Sequence, residues 1–258
     1  MPEQPSDSEL WKGAWTESLR HPSPDHDAAT WLNDIDRRKL KFLSSSLPKT
    51  GRAIEVGCGS ARLLCRVGRA APLSLTALDS EPAALQLAEE TAQAFGVKIK
   101  TVQGDVRALP FADDSFDLIL SGGLLEHFED PRPVLREMVR VIRPGGSFYA
   151  DVVPRKISLY RHGEARRIRK SPWLAPGVYE SSFGPGDYAP WLRELGLEDV
   201  RLTDCGVYPN FIGHRLPWWL RRAVSGSLAP LDGGPIASRW GWYFVIVARK
   251  RVRATSNP

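Results

Sequence analysis

Two methionines, three cysteines and no apolar run of membrane-spanning length are what this 258-residue chain has least of. Cys58, Cys65 and Cys205 are odd in number and form no C-x-x-C pair. That excludes a disulfide framework and points to a reducing, cytoplasmic setting. No stretch approaches the roughly 20 apolar residues that a transmembrane helix needs. Met1-Pro2-Glu3-Gln4-Pro5-Ser6-Asp7 carries neither a basic nor an apolar run, so no secretory leader is expected. The five histidines, His21, His26, His127, His162 and His214, lack ligand spacing, and no metal is expected. Charge is nearly balanced: 35 basic against 30 acidic residues, net +5. So small an excess disfavours nucleic acid as a partner. All nine tryptophans lie outside residues 32 to 172. Large aromatics there can glue flanking segments to a core or stack on an aromatic or cationic ligand.

What is present is a chain 42% apolar, enough to bury a core in one domain with added caps. Its most telling stretch is Ala53-Ile54-Glu55-Val56-Gly57-Cys58-Gly59-Ser60-Ala61-Arg62, with Asp79 twenty positions after Gly59. It reads as a buried strand, a glycine turn and a helix start, followed by a carboxylate suited to two ribose hydroxyls. The third glycine of the dinucleotide fingerprint is missing, since Arg62 occupies that position. The turn therefore fits a nucleoside bearing an amino-acid tail, and S-adenosylmethionine is the cofactor this suggests.

The following segments extend the pattern. Leu75-Thr76-Ala77-Leu78-Asp79 is a second strand ending in the carboxylate, and Gln103-Gly104-Asp105-Val106 follows a third strand. Phe116-Asp117-Leu118-Ile119-Leu120-Ser121 is a fourth. Glu126-His127-Phe128-Glu129-Asp130-Pro131, a helix through Leu135-Arg136-Glu137, and Arg140-Val141-Ile142-Arg143-Pro144-Gly145-Gly146 complete the series. Strands are predicted at 52–56, 74–79, 98–102, 116–121 and 146–153, with helices at 60–70, 81–95 and 131–143. Ser80 is expected to cap the second of these and Gly96 to end it. Further along, a helix is expected over Tyr188–Leu195, a strand over Leu197–Thr203 and a last strand over Trp240–Ala248. Strands alternating with amphipathic helices predict an α/β, doubly wound, mostly parallel sheet.

This ordered set resembles the class I S-adenosylmethionine-dependent methyltransferases, in particular the group acting on small molecules and quinones. The resemblance is close over residues 50 to 153 and looser over 183 to 251. It implies a seven-stranded sheet with an antiparallel last strand, a Rossmann-like methyltransferase fold carrying helical and loop caps. The expected organisation is an N-terminal helical cap (1–47), a cofactor-binding core (48–153) and a lid insertion (154–185). The rest of the sheet (186–251) contains a second insertion (205–238), and a tail follows (252–258). Glu55, Gly57, Cys58 and Gly59 would hold the methionyl part. Asp79, with Ser80 beside it, would take the ribose, while Asp105 and the Val106 N–H would read the adenine. By resemblance, Ser121 and Gly122 run along the cofactor.

Methyl transfer is an in-line displacement in which alignment and exclusion of water do most of the work. Where a base is needed, His127 is the candidate, because it follows the fourth strand and titrates in the useful range; packing over the cofactor is its other reading. Trp15, Tyr160, Arg161, Tyr179 and Trp218 are candidate acceptor contacts. Residues 154–170 carry seven Lys/Arg against one Glu, either a solvated face or a clamp for an anionic acceptor. Leu216-Pro217-Trp218-Trp219-Leu220-Arg221-Arg222 would allow peripheral membrane contact and suit a lipid quinone. The expected activity is methyl transfer to O, N or C of a small, aromatic or partly apolar metabolite. C-methylation of a quinone or lipid-like acceptor and a non-catalytic cofactor-binding regulator are the alternatives, and oligomeric state is left open.

Overall fold

The computed structural model describes residues 31–156, 179–207 and 217–252. Its elements, in chain order, begin with α1 (Trp31–Leu43), β1 (Gly51–Val56), α2 (Arg62–Ala70), β2 (Leu73–Asp79), α3 (Pro82–Phe95) and β3 (Ile99–Gln103). They continue with β4 (Phe116–Gly122), a 3-10 turn (Leu125–His127), α4 (Arg132–Val141) and β5 (Ile142–Val152). The rest are α5 (Pro185–Glu194), β6 (Leu197–Cys205), α6 (Trp218–Leu228), a 3-10 turn (Ala229–Leu231), α7 (Pro235–Trp240) and β7 (Tyr243–Lys250).

The seven strands lie in the order β3-β2-β1-β4-β5-β7-β6. The first five in sequence are parallel, and β7 runs antiparallel between β5 and β6. The doubly wound sheet expected from the alternation is thus the architecture found. The central strands read as they do because both faces are covered: Ala53 to Val56 and Phe116 to Ser121 are buried throughout. Side chains alternate between two cores. Ile54, Val56, Ile119 and Phe148 face Val134 and Met138 of α4 and Tyr188 and Leu192 of α5. Ala53, Leu118, Leu120 and Tyr149 face Leu43 of α1 and Leu64 and Val67 of α2. Chain direction across the sheet reverses at β1, so the loops after β1 and β4 diverge and leave a crevice at their carboxyl ends.

Four expectations about boundaries need correction. The helix expected to reach residue 143 ends at Val141, and Ile142 opens β5 by pairing with Phe116. Pro144 accounts for this, because it has no N–H to donate and crowds the residue before it out of helical conformation. Helix α5 starts at Pro185 rather than Tyr188, with proline in its first turn and Asp187 Oδ2 accepting the Gly184 N–H at 2.8 Å. The last strand starts at Tyr243, since Trp240 still belongs to α7. Ser80 caps nothing. Glu81 is the N-cap of α3 and its N–H donates to Asp79 Oδ1 at 3.1 Å. Gly96 does end α3, in left-handed conformation at φ 66°.

Among the described residues no helix is long and apolar enough to cross a membrane.

Candidate active site

The crevice, about 900 Å³, lies where the turns after β1, β2, β3 and β4 converge. Backbone hydrogen bonds tie its floor together. Cys58 N–H donates to Leu78 O at 2.9 Å, and Gly104 N–H to Asp79 O at 3.1 Å. Asp79, the last residue of β2, is 8% exposed; its Oδ2 accepts the Gly59 N–H at 2.9 Å. One carboxylate therefore locks both the glycine turn and the start of α3, while its own position is fixed by those N–H groups. Gly57 is required on two counts. Its φ is +64°, and a Cβ there would come within 2.7 Å of Leu124 Cδ1 in the loop after β4. A third left-handed residue, after Gly59 at φ 48°, is Ala61 at φ 51°, which serves as N-cap of α2. The turn thus needs its third special conformation two residues after Gly59, not at Arg62.

Glu55 points to the α2 side of the sheet and accepts the Leu64 N–H at 3.1 Å, filling a donor that the first turn of α2 leaves open. Burial pushes its carboxyl up to about 8, against the opposing pull of that N–H. At the far end of the crevice, Asp105 Oδ1 accepts the Arg107 N–H at 2.8 Å. The Arg107 guanidinium also grips it, Nη2 to Oδ2 at 2.8 Å, which holds the Asp105 carboxyl below the usual range. Val106 is nearly buried beside it. The Cys58 thiol, pushed up by burial, is inert toward thiolate chemistry.

On the opposite wall β4 ends at Gly122, and Gly123 N–H donates to Asp151 O at 3.0 Å. The 3-10 turn that follows carries His127, whose Nδ1 meets Tyr179 O at 2.8 Å. A carbonyl can only accept, so Nδ1 carries the proton and the lone pair of the neutral ring is on Nε2. The same turn is strapped down by Ser181 N–H to Glu126 O at 2.7 Å, and Arg155 N–H donates to Ser181 O at 2.7 Å. Glu126 is 2% exposed, and burial raises its carboxyl to about 8.

The crevice wall thus brings together Glu55, Gly57, Cys58, Gly59, Asp79 and Ser80. Asp105, Val106, Gly122 and His127 join them. Ser121 is fully buried and its side chain is not in that wall. Tyr179 contributes its carbonyl to His127 and leaves its ring partly exposed, outside the wall. Trp15, Tyr160 and Arg161 lie outside the described residues, as does the side chain of Trp218 at the start of α6. Sequence reasoning missed Asp36 and Lys39 of α1 and Arg62 of α2, all in the wall. Asp36 Oδ2 accepts from Arg62 Nε at 3.0 Å and Arg66 Nε at 3.3 Å, fastening α1 to α2. Lys39 Nζ meets Asp151 Oδ1 at 2.6 Å. Nothing short of the fold signals these partners, because they come from separate elements. Among the described residues no group of three or more His, Cys, Asp or Glu is placed to hold a metal.

Glycine-lined backbone at one end, a fixed carboxylate midway and a polar loop beside Val106 form a cradle for an amino-acid-bearing nucleoside. Comparison with known proteins agrees. Residues 54–150 match a methyltransferase domain. Over 237 residues the chain is 28% identical to 27-O-demethylrifamycin SV methyltransferase of Amycolatopsis mediterranei, covering 85% of this chain and 82% of that protein. It is 30% identical over 195 residues to chloroplastic 2-methyl-6-phytyl-1,4-hydroquinone methyltransferase 2 of Oryza sativa subsp. japonica. That match takes in 75% of this chain but 47% of the relative, so the chain spans about half of that protein's length. The fold is similar to that of an S-adenosylmethionine-dependent methyltransferase from Thermotoga maritima, with a TM-score of 0.63 at 19% identity, over 94% of this chain and 99% of that one.

Proposed function

This chain belongs to the class I S-adenosylmethionine-dependent methyltransferases, and from that premise we propose that it methylates an oxygen, nitrogen or carbon of a small, aromatic or partly apolar metabolite with His127 as general base. The observation that carries the reading is the position of His127, lining the same crevice as Asp79 and the glycine turn but on the opposite wall, in the loop after β4. When bound, the cofactor supplies an activated methyl group on a sulfonium, so the protein's share is alignment, dryness and proton management.

Each of these tasks has residues to perform it. Gly57, Cys58 and Gly59 would hold the methionyl end, Asp79 the ribose, and Asp105 with the Val106 N–H the adenine. To reach an adenine amino group, Asp105 would share its oxygens with the guanidinium of Arg107. His127, with its proton on Nδ1 fixed by the Tyr179 carbonyl, would accept the acceptor's proton at Nε2. Leu124 and Phe128, also in the wall, would exclude water from the transfer. The segments flanking the core would roof the acceptor, with Trp15, Tyr160, Arg161, Tyr179 and Trp218 as its proposed contacts.

A second reading, C-methylation of a quinone or lipid-like acceptor, has its own support. Trp219, Ile236 and Trp240 expose 58%, 46% and 41% of their surface on the segment that carries α6 and α7. Such apolar exposure suits a prenyl-like tail or a bilayer surface. Screening a metabolite set that includes phenols, amines and prenylated quinols for methylated products tests both readings. A methylated small molecule whose formation requires His127 supports the first. Methylation confined to the quinol ring carbon favours the second, and no product from any class would leave a cofactor-binding regulator.

A further inference from the structure

The charges in the crevice wall are unevenly shared. Asp36 and Glu55 bring carboxyl groups to the end where β1 and β4 part, Asp79 stands midway, and the cations in the wall are Lys39, Arg62 and Arg107. Arg107 sits at the opposite end on Asp105, and Arg62 is engaged by Asp36. Lys39 is different. An ammonium has three N–H donors, and the ion pair with Asp151 takes one of them. The Asp151 side chain is 3% exposed and that of Lys39 17%, so the carboxylate is sealed behind while the ammonium shows a face to the crevice. A Cβ on Gly122 would stand 2.9 Å from Asp151 Oδ2 and 3.6 Å from Lys39 Nζ, which puts the pair directly against the crevice backbone. Burial works against the ammonium, yet Asp151 outweighs it and the Lys39 pKa is raised, so the positive charge persists.

A methionyl tail ends in an ammonium, which suits the carboxylates of Asp36 and Asp79, and in a carboxylate, which calls for a cation beside it. We propose that Lys39, from helix α1, binds the α-carboxylate of the cofactor's methionyl tail at the Gly122 end of the crevice, with Asp151 as the positioning residue that holds the ammonium there. This rests on the cofactor assignment above and deepens it. Lys39 lies outside the 54–150 methyltransferase match, so this contact belongs to the chain's N-terminal cap and not to the matched domain. It would also couple the seating of α1 to cofactor binding.

The test compares two ligands by calorimetry: S-adenosylhomocysteine, which carries the amino-acid tail, and 5′-methylthioadenosine, which lacks it. Lys39→Met should weaken the first by about tenfold to a hundredfold, the range for a charge-assisted hydrogen bond, and leave the second within about twofold. Because Lys39→Met leaves Asp151 buried without its cation, the double variant Lys39→Met/Asp151→Asn is measured alongside, and it should show the same selective loss. Lys39→Arg should recover part of the affinity. Equal weakening of both ligands, or no weakening of either, would overturn the proposal and make the pair a structural clasp. Wild-type protein that binds neither ligand would bring down the cofactor assignment as well, a result distinct from Lys39-independent binding of S-adenosylhomocysteine.

Discussion

The two walls of the crevice are built by different means. The wall made by the turns after β1, β2 and β3 is closed by main-chain N–H groups of one turn bonded to the next, Cys58 N–H to Leu78 O, Gly104 N–H to Asp79 O and Gly59 N–H to the Asp79 carboxylate. The wall made by α1, the 3-10 turn and residues 179–181 hangs on contacts between distant elements. These are Lys39 with Asp151, Asp36 with Arg62, His127 with Tyr179 O, and Arg38 with Asp232 at 3.2 Å. A floor locked by its own backbone suits a ligand of fixed shape, because little has to be reorganised when it binds. A wall pinned by side chains from caps can be rebuilt by substitution without disturbing the sheet. On the proposed reading the difference divides labour: the first wall keeps the cofactor's nucleoside, and the second, Lys39 apart, sets acceptor and chemistry.

Substitutions at Asp79 and His127 should therefore separate binding from turnover. The largest effect is expected at His127. His127→Ala should slow turnover about a hundredfold while cofactor affinity stays nearly intact, as read by steady-state kinetics alongside calorimetry. An unchanged rate would reduce His127 to a packing group and erase the division. Asp79→Ala should do the reverse, weakening cofactor binding by about tenfold or more, on the order of the 1.5–3 kcal/mol of hydrogen bonds to a charged group. Unaltered affinity would remove the ribose from Asp79.

A pH series sharpens the picture of the second wall. Burial lifts the Glu126 carboxyl from an ordinary 4.5 to about 8, so between those values the folded chain keeps a proton that the unfolded chain has lost. The unfolded state binds fewer protons there, and stability must fall as pH rises through that window. Glu126→Gln, neutral at every pH, escapes this loss. Its melting temperature should gain on the wild type between about pH 5 and pH 8, and a constant offset would mean that Glu126 is already ionised in the fold. The smallest effect is expected at Ala61 in the first wall. Left-handed alanine costs about 1–2 kcal/mol, and glycine's extra entropy cancels part of the relief. Ala61→Gly should raise the melting temperature by about 1–2 °C, given roughly 2–4 °C per kcal/mol for a chain of this size.

The same contrast decides what could be read from the residues alone. The alternation of Ala53–Val56, Leu75–Asp79 and Phe116–Ser121 with amphipathic helices is local information, and it specified the sheet and the floor of the crevice. Boundaries slipped where one residue overrode the pattern: Pro144 turned a helix end into the start of β5, and Pro185 started α5 early. The Asp79 carboxylate took the capping duty expected of Ser80, because a fixed anion at the strand end reaches the Glu81 N–H first. Lys39 and Asp151 were out of reach altogether. Each is an ordinary charged residue in its own segment, and only the docking of α1 over β5 turns them into a pair at the crevice.

The most direct measurement is a crystal structure of the protein with S-adenosylhomocysteine. The ribose should sit on the Asp79 carboxylate, the adenine beside Asp105 and Val106, and the sulfur on the side of His127. A ligand seated elsewhere, or with its sulfur turned away from the loop after β4, would contradict the assignment of both walls.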